Sequence, residues 1–228
     1  MLGSVRGVLL AKKSGVVIPS GLVAAYSFSE GSGTTIADVS GNGHVLTLNN
    51  ASWTAGHTGT GVTNTGTGQG AGAVFLGPSA AITMMAWVQP LDLPAGGTRV
   101  AMGIFKNGSD TDVAIFTERS DFGTPDLLQC NLRIGGSLRS VYGPALTIGN
   151  WVHIAITFDG STVRLYVNGS QYSTGSFSGT VGMGDRLTVA GNSPGNAYDS
   201  DVVVDDVRIF SVALDATQVA SMMTTPVS

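Results

Sequence analysis

The sequence predicts an all-β protein: an antiparallel two-sheet β-sandwich, or jelly roll, with a short C-terminal helix. Three observations carry this. Apolar and polar residues alternate with period two in many short runs, as in strands with one buried face. Gly-containing turn pairs punctuate those runs. The 228 residues include 33 glycines and only 11% charged residues, a composition suited to short strands and tight turns.

Residues 1–20 read as an N-terminal extension or docking arm, and residues 21–228 as one sandwich domain. Val5, Val8, Leu9 and Leu10 give the arm apolar surface for contact with another chain. The apolar stretch is too short to cross a bilayer, and Lys12 and Lys13 follow it, the reverse of a secretory signal. The expected product is made in a host cytoplasm without membrane insertion. Strands are expected at Leu22–Phe28, Ala73–Leu76, Ile82–Val88, Arg99–Phe105, Val113–Thr117, Leu127–Ile134, Leu138–Tyr142, Leu187–Ala190 and Val202–Phe210. Lys106-Asn107-Gly108 and Gly135-Gly136 mark hairpins between them.

The clearest segment spans residues 151–177. Val152, Ile154, Ile156 and Phe158 alternate with Trp151, His153, Ala155 and Thr157, then Val163, Leu165 and Val167 form the next apolar face. Asp159-Gly160 and Asn168-Gly169 are turn pairs, so a three-stranded meander is expected. Near the end, Asp215 and Gln218 have capping-box spacing, with Val219 and Met222 facing the sandwich. Residues 54–72, rich in Gly and Thr, read as a long flexible loop or irregular edge, with a binding loop as the sharper alternative.

Composition excludes several functions. A net charge of −4, with scattered Lys and Arg, argues against nucleic acid as a partner. Cys130 is the only cysteine, so no internal disulfide forms, and it reads as a small buried hydrophobe. His44, His57 and His153 lack zinc-ligand spacing, and His153 reads as a satisfied structural residue. Glu30 and Glu118, the only glutamates, are far apart and form no alternating acidic pattern on one strand. The chain therefore reads as non-catalytic. Trp87 and Trp151 lie in strands and read as packing residues, whereas Trp53 beside the loop is the freest to stack on a sugar. Asp199 and Asp201, in the acidic cluster before the last strand, are candidate ligand contacts.

Asp205 shares strand parity with Val207 and Ile209, so it is expected to face the core, with Asp206 and Arg208 opposite. An inward carboxylate needs compensation. One answer is a structural Ca2+ held by Asp38 and Asp205 with oxygens near Asn42 and His44. The other is an Asx-turn, in which Asp38 caps the Ser40-Gly41-Asn42-Gly43 turn and Asp205 accepts backbone N–H bonds from that turn.

Four blocks together resemble the laminin-G-like jelly-roll family of the concanavalin A-like superfamily, in its bacterial and phage branch. They are GLVAAYSFSEGSGTTIADVSGNGHVLTL, ITMMAWVQP, WVHIAITFDGSTVRLYVNG and VDDVRIFSVALDATQV, in the family's order. The segment before the second block departs from the family pattern. The resemblance implies the sandwich fold and points to a structural calcium between the first and last blocks. The family includes carbohydrate-binding modules, adhesion domains and virion proteins. The function expected is surface recognition or decoration: a phage capsid or tail component that binds host glycans, its arm docked on virion proteins or on a second copy. The alternatives are a carbohydrate-binding module of a bacterial protein, extracellular or at the cell surface, and, less favoured, a glycan-cleaving enzyme.

Overall fold

The computed structural model describes residues 17–64, 71–73, 79–92, 98–106, 110–119, 127–182, 184, 186–191 and 201–228. Val5, Val8, Leu9, Leu10, Asp199 and the Asn107-Gly108 turn lie outside them.

Two antiparallel sheets face each other. The first runs, in space, β14 (Ser170–Ser176), β13 (Thr162–Val167), β12 (Val152–Phe158), β7 (Ile82–Pro90), β16 (Val202–Phe210), β5 (Thr60–Asn64), β4 (Ser52–Ala55), with β1 (Leu22–Tyr26) also on β16. The second runs β11 (Ser137–Ala145), β10 (Leu127–Ile134), β9 (Asp110–Arg119), β8 (Thr98–Lys106), β15 (Arg186–Val189), β6 (Ala71–Ala73), β3 (Leu46–Thr47), β2 (Thr35–Ile36). The main core lies between them. It takes Met84, Ala86 and Val88 from β7 and Ile154 and Ile156 from β12, against Met102, Ile115, Cys130 and Leu132 of the second sheet.

The meander forms as its alternation dictates. Phe158 pairs with Val163 around the Asp159-Gly160 turn, and Val167 pairs with Ser170 around Asn168-Gly169. Asn168 and Gly169 both take positive φ, 48° and 77°, which this two-residue turn requires. The helix α1 (Ala216–Met223) starts at a complete capping box: Gln218 N–H donates to Asp215 Oδ1 and Asp215 N–H to Gln218 Oε1. Its Val219 and Met222 pack on Met85, Ala155, Tyr166 and Phe210, a second cluster on the outer face of the first sheet.

Two expectations need correction. The 54–72 stretch is not a loop throughout: β4 and β5 form a hairpin at the sheet edge, with Trp53 opposite Val62 and Ala55 opposite Thr60. Gly56 and Gly61 answer crowding. A Cβ on Gly56 would lie 2.6 Å from Asp205 Oδ2 and from the Thr60 carbonyl, and one on Gly61 would lie 2.9 Å from the Val204 carbonyl oxygen. Sequence reads such glycines as loose chain, whereas here they permit close approach.

The second correction concerns the last strand. On β7, Trp87 faces Asp205 and Met85 faces Arg208, so Asp206 and Val207 share one partner position. Asp206 takes φ 50°. This β-bulge reverses the alternation. Val202 and Val204 before it, and Val207 and Ile209 after it, all reach the main core. Asp205 therefore lies beside Arg208's row on the outer face, not with Val207 and Ile209.

Candidate functional site

The Asp38 turn forms on the edge of β1. Asp38 Oδ1 accepts from Ala25 N–H (3.0 Å) and Ser40 N–H (2.9 Å), and Oδ2 from Ser40 Oγ (2.8 Å) and His44 N–H (3.0 Å). Val39 N–H donates to the Ala25 carbonyl at 2.9 Å, completing a bridge to β1. Asn42 Nδ2 donates to the carbonyls of Leu22 and Val23, and the His44 carbonyl accepts from Tyr26 Oη at 2.6 Å. Partial burial raises the Asp38 pKa, but the Ala25, Ser40 and His44 donors outweigh it, and the net shift is downward. Burial, then the Asp38 charge, raises the Tyr26 pKa, so its hydroxyl stays a donor.

Asp205 is fully buried beneath the β4–β5 turn. Its Oδ2 accepts from Thr58 N–H (2.9 Å) and its Oδ1 from Asp206 N–H (2.8 Å). It sits where β16 changes neighbours, from β5 alongside Val202–Val204 to β1 alongside Val207–Phe210. The side chain takes up backbone donors at that break. Burial, with the charge of Asp206 adding to it, pushes the Asp205 pKa up to about 6 against the N–H donors of Thr58, Asp206 and His57. Asp206 Oδ1 accepts from Val227 N–H at 2.8 Å and so ties down the C-terminal segment. Arg208 donates to the carbonyls of Met222 and Thr225 beside it.

This geometry does not fit the calcium arrangement expected from Asp38, Asn42, His44 and Asp205. A carboxylate has about four acceptor positions, and four donors fill those of Asp38. N–H dipoles directed at that carboxylate would repel a cation. β1 also stands between the two acids, since it pairs with β16 along one edge and carries the Asp38 turn on the other. No group of three or more His, Cys, Asp or Glu side chains suited to a metal occurs among the described residues. The Asx-turn alternative describes Asp38, but Asp205 takes its N–H bonds from Thr58 and Asp206 rather than from that turn, because β1 lies between them.

Trp53 is less free than expected. Its indole Nε1 donates to the Gly33 carbonyl at 2.8 Å, and the ring packs partly against the main core. The Asp201 carbonyl accepts from Leu91 N–H at 2.8 Å. Trp87 and Trp151 do pack, but on the outer face. His57, from the β4–β5 turn, stacks on Trp87 with centroids 3.7 Å apart and meets the Trp151 edge at 5.7 Å. His153 lies edge-on to Trp87 at 5.4 Å. It is structural but not satisfied, because neither ring nitrogen has a hydrogen-bond partner. Burial, then the Arg208 and His57 charges, pushes its pKa down to about 3, so the imidazole stays neutral.

Sequence reasoning missed a cleft of about 420 Å³ where the meander meets the start of α1. Arg164 and Tyr166 on β13 and Gln171 on β14 line one side, and Leu214 and Asp215 the other. Arg164 Nη1 donates to Asp159 Oδ2 at 2.7 Å. Asp159 Oδ1 accepts from Ser161 N–H and Oγ and from Thr162 N–H. Arg164 first, then these donors, hold the Asp159 carboxyl well below the usual carboxylate range. The alternation of Arg164 and Tyr166 along β13 was a visible signal that both share one face. What covers that face was not visible.

Residues 64–220 match the family model described as the concanavalin A-like lectin/glucanases superfamily. No curated protein matches the chain by sequence. Among solved structures, the binding domain of Paraclostridial Mosquitocidal Protein 1 superposes with a TM-score of 0.70 at 15% identity, over 89% of this chain and 52% of that one. Domain 4 of AbnA, an extracellular arabinanase from Geobacillus stearothermophilus in complex with arabinotriose, gives 0.63 at 21% identity, over 90% and 98%. A Trypanosoma rangeli sialidase gives 0.67 at 19% identity, over 95% and 35%. At these identities the likeness shows the fold. The chain spans about half of the mosquitocidal binding domain. No helix among the described residues is long and apolar enough to cross a membrane.

Proposed function

The chain belongs to the concanavalin A-like lectin/glucanases superfamily, and from that premise we propose a non-catalytic recognition domain that binds cell-surface glycans as a capsid-decoration or tail component of a phage virion. One observation carries the non-catalytic part. Glycoside hydrolysis needs two carboxyl groups free to face one bond. Here Glu30, Asp38, Asp159, Asp205, Asp206 and Asp215 each accept hydrogen bonds from backbone N–H groups that fix a turn, a bulge, a tail or a helix start. These six acids hold the fold, which supports the non-catalytic reading. The recognition part is supported by neighbours named as binding domains and by one that holds arabinotriose. The virion part is supported by the apolar residues Val5, Val8, Leu9 and Leu10 as a docking arm.

A second reading is a carbohydrate-binding module of a larger bacterial protein, favoured by the 98% coverage of the arabinanase domain. A broad glycan array tests recognition, with binding expected and no bound glycan overturning it. Antibody labelling of purified virions and of intact bacterial cells from the source separates the two readings. Label on capsids or tails supports the first, and label confined to bacterial surfaces supports the second. Release of reducing sugar from common polysaccharides would overturn the non-catalytic assignment.

A further inference from the structure

We propose that the cleft between β13, β14 and the start of α1 is a subsite for one neutral sugar residue, an inference that rests on the glycan-recognition reading above. Its volume of about 420 Å³ suits a single pyranose or furanose ring with its hydroxyls, and lies within the range of small-ligand sites. Neighbouring sugar hydroxyls donate and accept at once, so they are best met by donors and acceptors placed side by side. Arg164 supplies donors only, Asp215 acceptors only, and Gln171 both.

Four donors, from Ser161 N–H and Oγ, Thr162 N–H and Arg164 Nη1, fill Asp159, so its part is to hold Arg164 in place. Arg164 has N–H groups beyond the one it gives to Asp159, Asp215 Oδ1 accepts from Gln218 N–H, and Gln171 is exposed at the rim. Asp159 and Asp215 are fixed by a turn and a helix cap, and Arg164 by its ion pair. Little side-chain ordering is therefore left to oppose binding. Tyr166 and Leu214, both nearly fully buried, close the bottom of the cleft, so recognition rests on its polar groups.

Charge narrows the ligand. Two carboxylates and one guanidinium line the cleft. The excess negative charge disfavours a carboxylated or sulfated sugar, which would bring a second anion into a site whose one cation is already paired. Neutral sugars meet no such opposition.

The test is ligand-detected NMR on the full chain with arabinotriose, lactose, mannobiose and sialyllactose, alongside an array of neutral glycans. At least one neutral glycan is expected to bind, and sialyllactose to bind no better than lactose. Arg164→Ala and Gln171→Ala are each expected to weaken the best neutral ligand at least tenfold. Gln171 is exposed on an edge strand, so Gln171→Ala is expected to keep the parent melting temperature and separates binding from folding. Binding of that ligand unchanged within twofold in Gln171→Ala and Arg164→Ala overturns the subsite and leaves recognition to another surface. Preference for sialyllactose overturns the neutral assignment. No binding of any glycan overturns the recognition reading as well.

Discussion

Replacing Asp38 with alanine removes one carboxylate and four hydrogen bonds at once, from Ala25, Ser40 N–H, Ser40 Oγ and His44. Water can replace the acceptor for Ser40 and His44, which are part-exposed, but not for Ala25, which is 3% exposed. Stranding one dry donor costs about 1–3 kcal/mol, and rehydrated bonds cost a few tenths to about 1 kcal/mol each. The loss should total about 2–6 kcal/mol, or about 4–24 °C in melting temperature for a domain of this size. Thermal melts at neutral pH measure it. The pKa of Asp38 is lowered on folding, so its contribution is present above the unfolded pKa and lost as pH falls through the folded one. The difference between parent and variant should shrink in acid. The parent melt should be the same in EDTA and in millimolar calcium. A shift below about 2 °C in the variant, or a calcium-dependent rise in the parent that the variant lacks, would refute the hydrogen-bonded turn.

Three further outcomes follow from the same contacts. Gly56→Ala places a Cβ 2.6 Å from Asp205 Oδ2 and the Thr60 backbone. It should destabilise by about 1–3 kcal/mol or more, and an unchanged denaturation midpoint would show that the β4–β5 turn is loose. Asp205 has its pKa pushed up to about 6, so the folded protein holds the extra proton between the ordinary aspartate pKa and that value. Its contribution is present in acid and falls by about 3 kcal/mol as pH rises through about 6; Asp205→Asn should flatten that slope, and a slope unchanged in the variant would place the titration elsewhere. Cys130 is fully buried with its thiol pKa raised by burial, so a thiol reagent should label it only after unfolding, and rapid labelling of the native protein would contradict its packing.

The legible parts of the fold are those governed by neighbours in sequence. The Asn168-Gly169 turn, the Asp215–Gln218 capping box and the alternation of Val152–Phe158 each encode a local backbone geometry, and each forms as read. Cys130 was legible as a core residue because a cysteine between apolar strand positions has no better place. The site was less legible. Trp53 beside a Gly-rich stretch suggested a free ring, but the ring's fate depended on Gly33, which the sequence does not tie to it. His153 looked satisfied because a buried polar ring usually is, and its position beneath His57 and Trp87 depends on three segments far apart in the chain.

By itself, the sequence determined the class of fold, the meander and the capped helix. All of these rest on periodicity and turn chemistry within a few residues. Tertiary structure alone decided which face Asp205 occupies. The bulge at Asp206 inserts one residue where β16 passes from β5 to β1, and alternation of apolar residues carries no mark of an extra residue opposite a partner strand. It also decided that Gly56 and Gly61 fill a crowded edge, since a glycine's sequence is the same whether it frees the chain or admits a neighbour. The cleft at Arg164, Gln171 and Asp215 is likewise tertiary, because α1 folds back over strands that precede it by about 40 to 50 residues and only that packing brings the three side chains together.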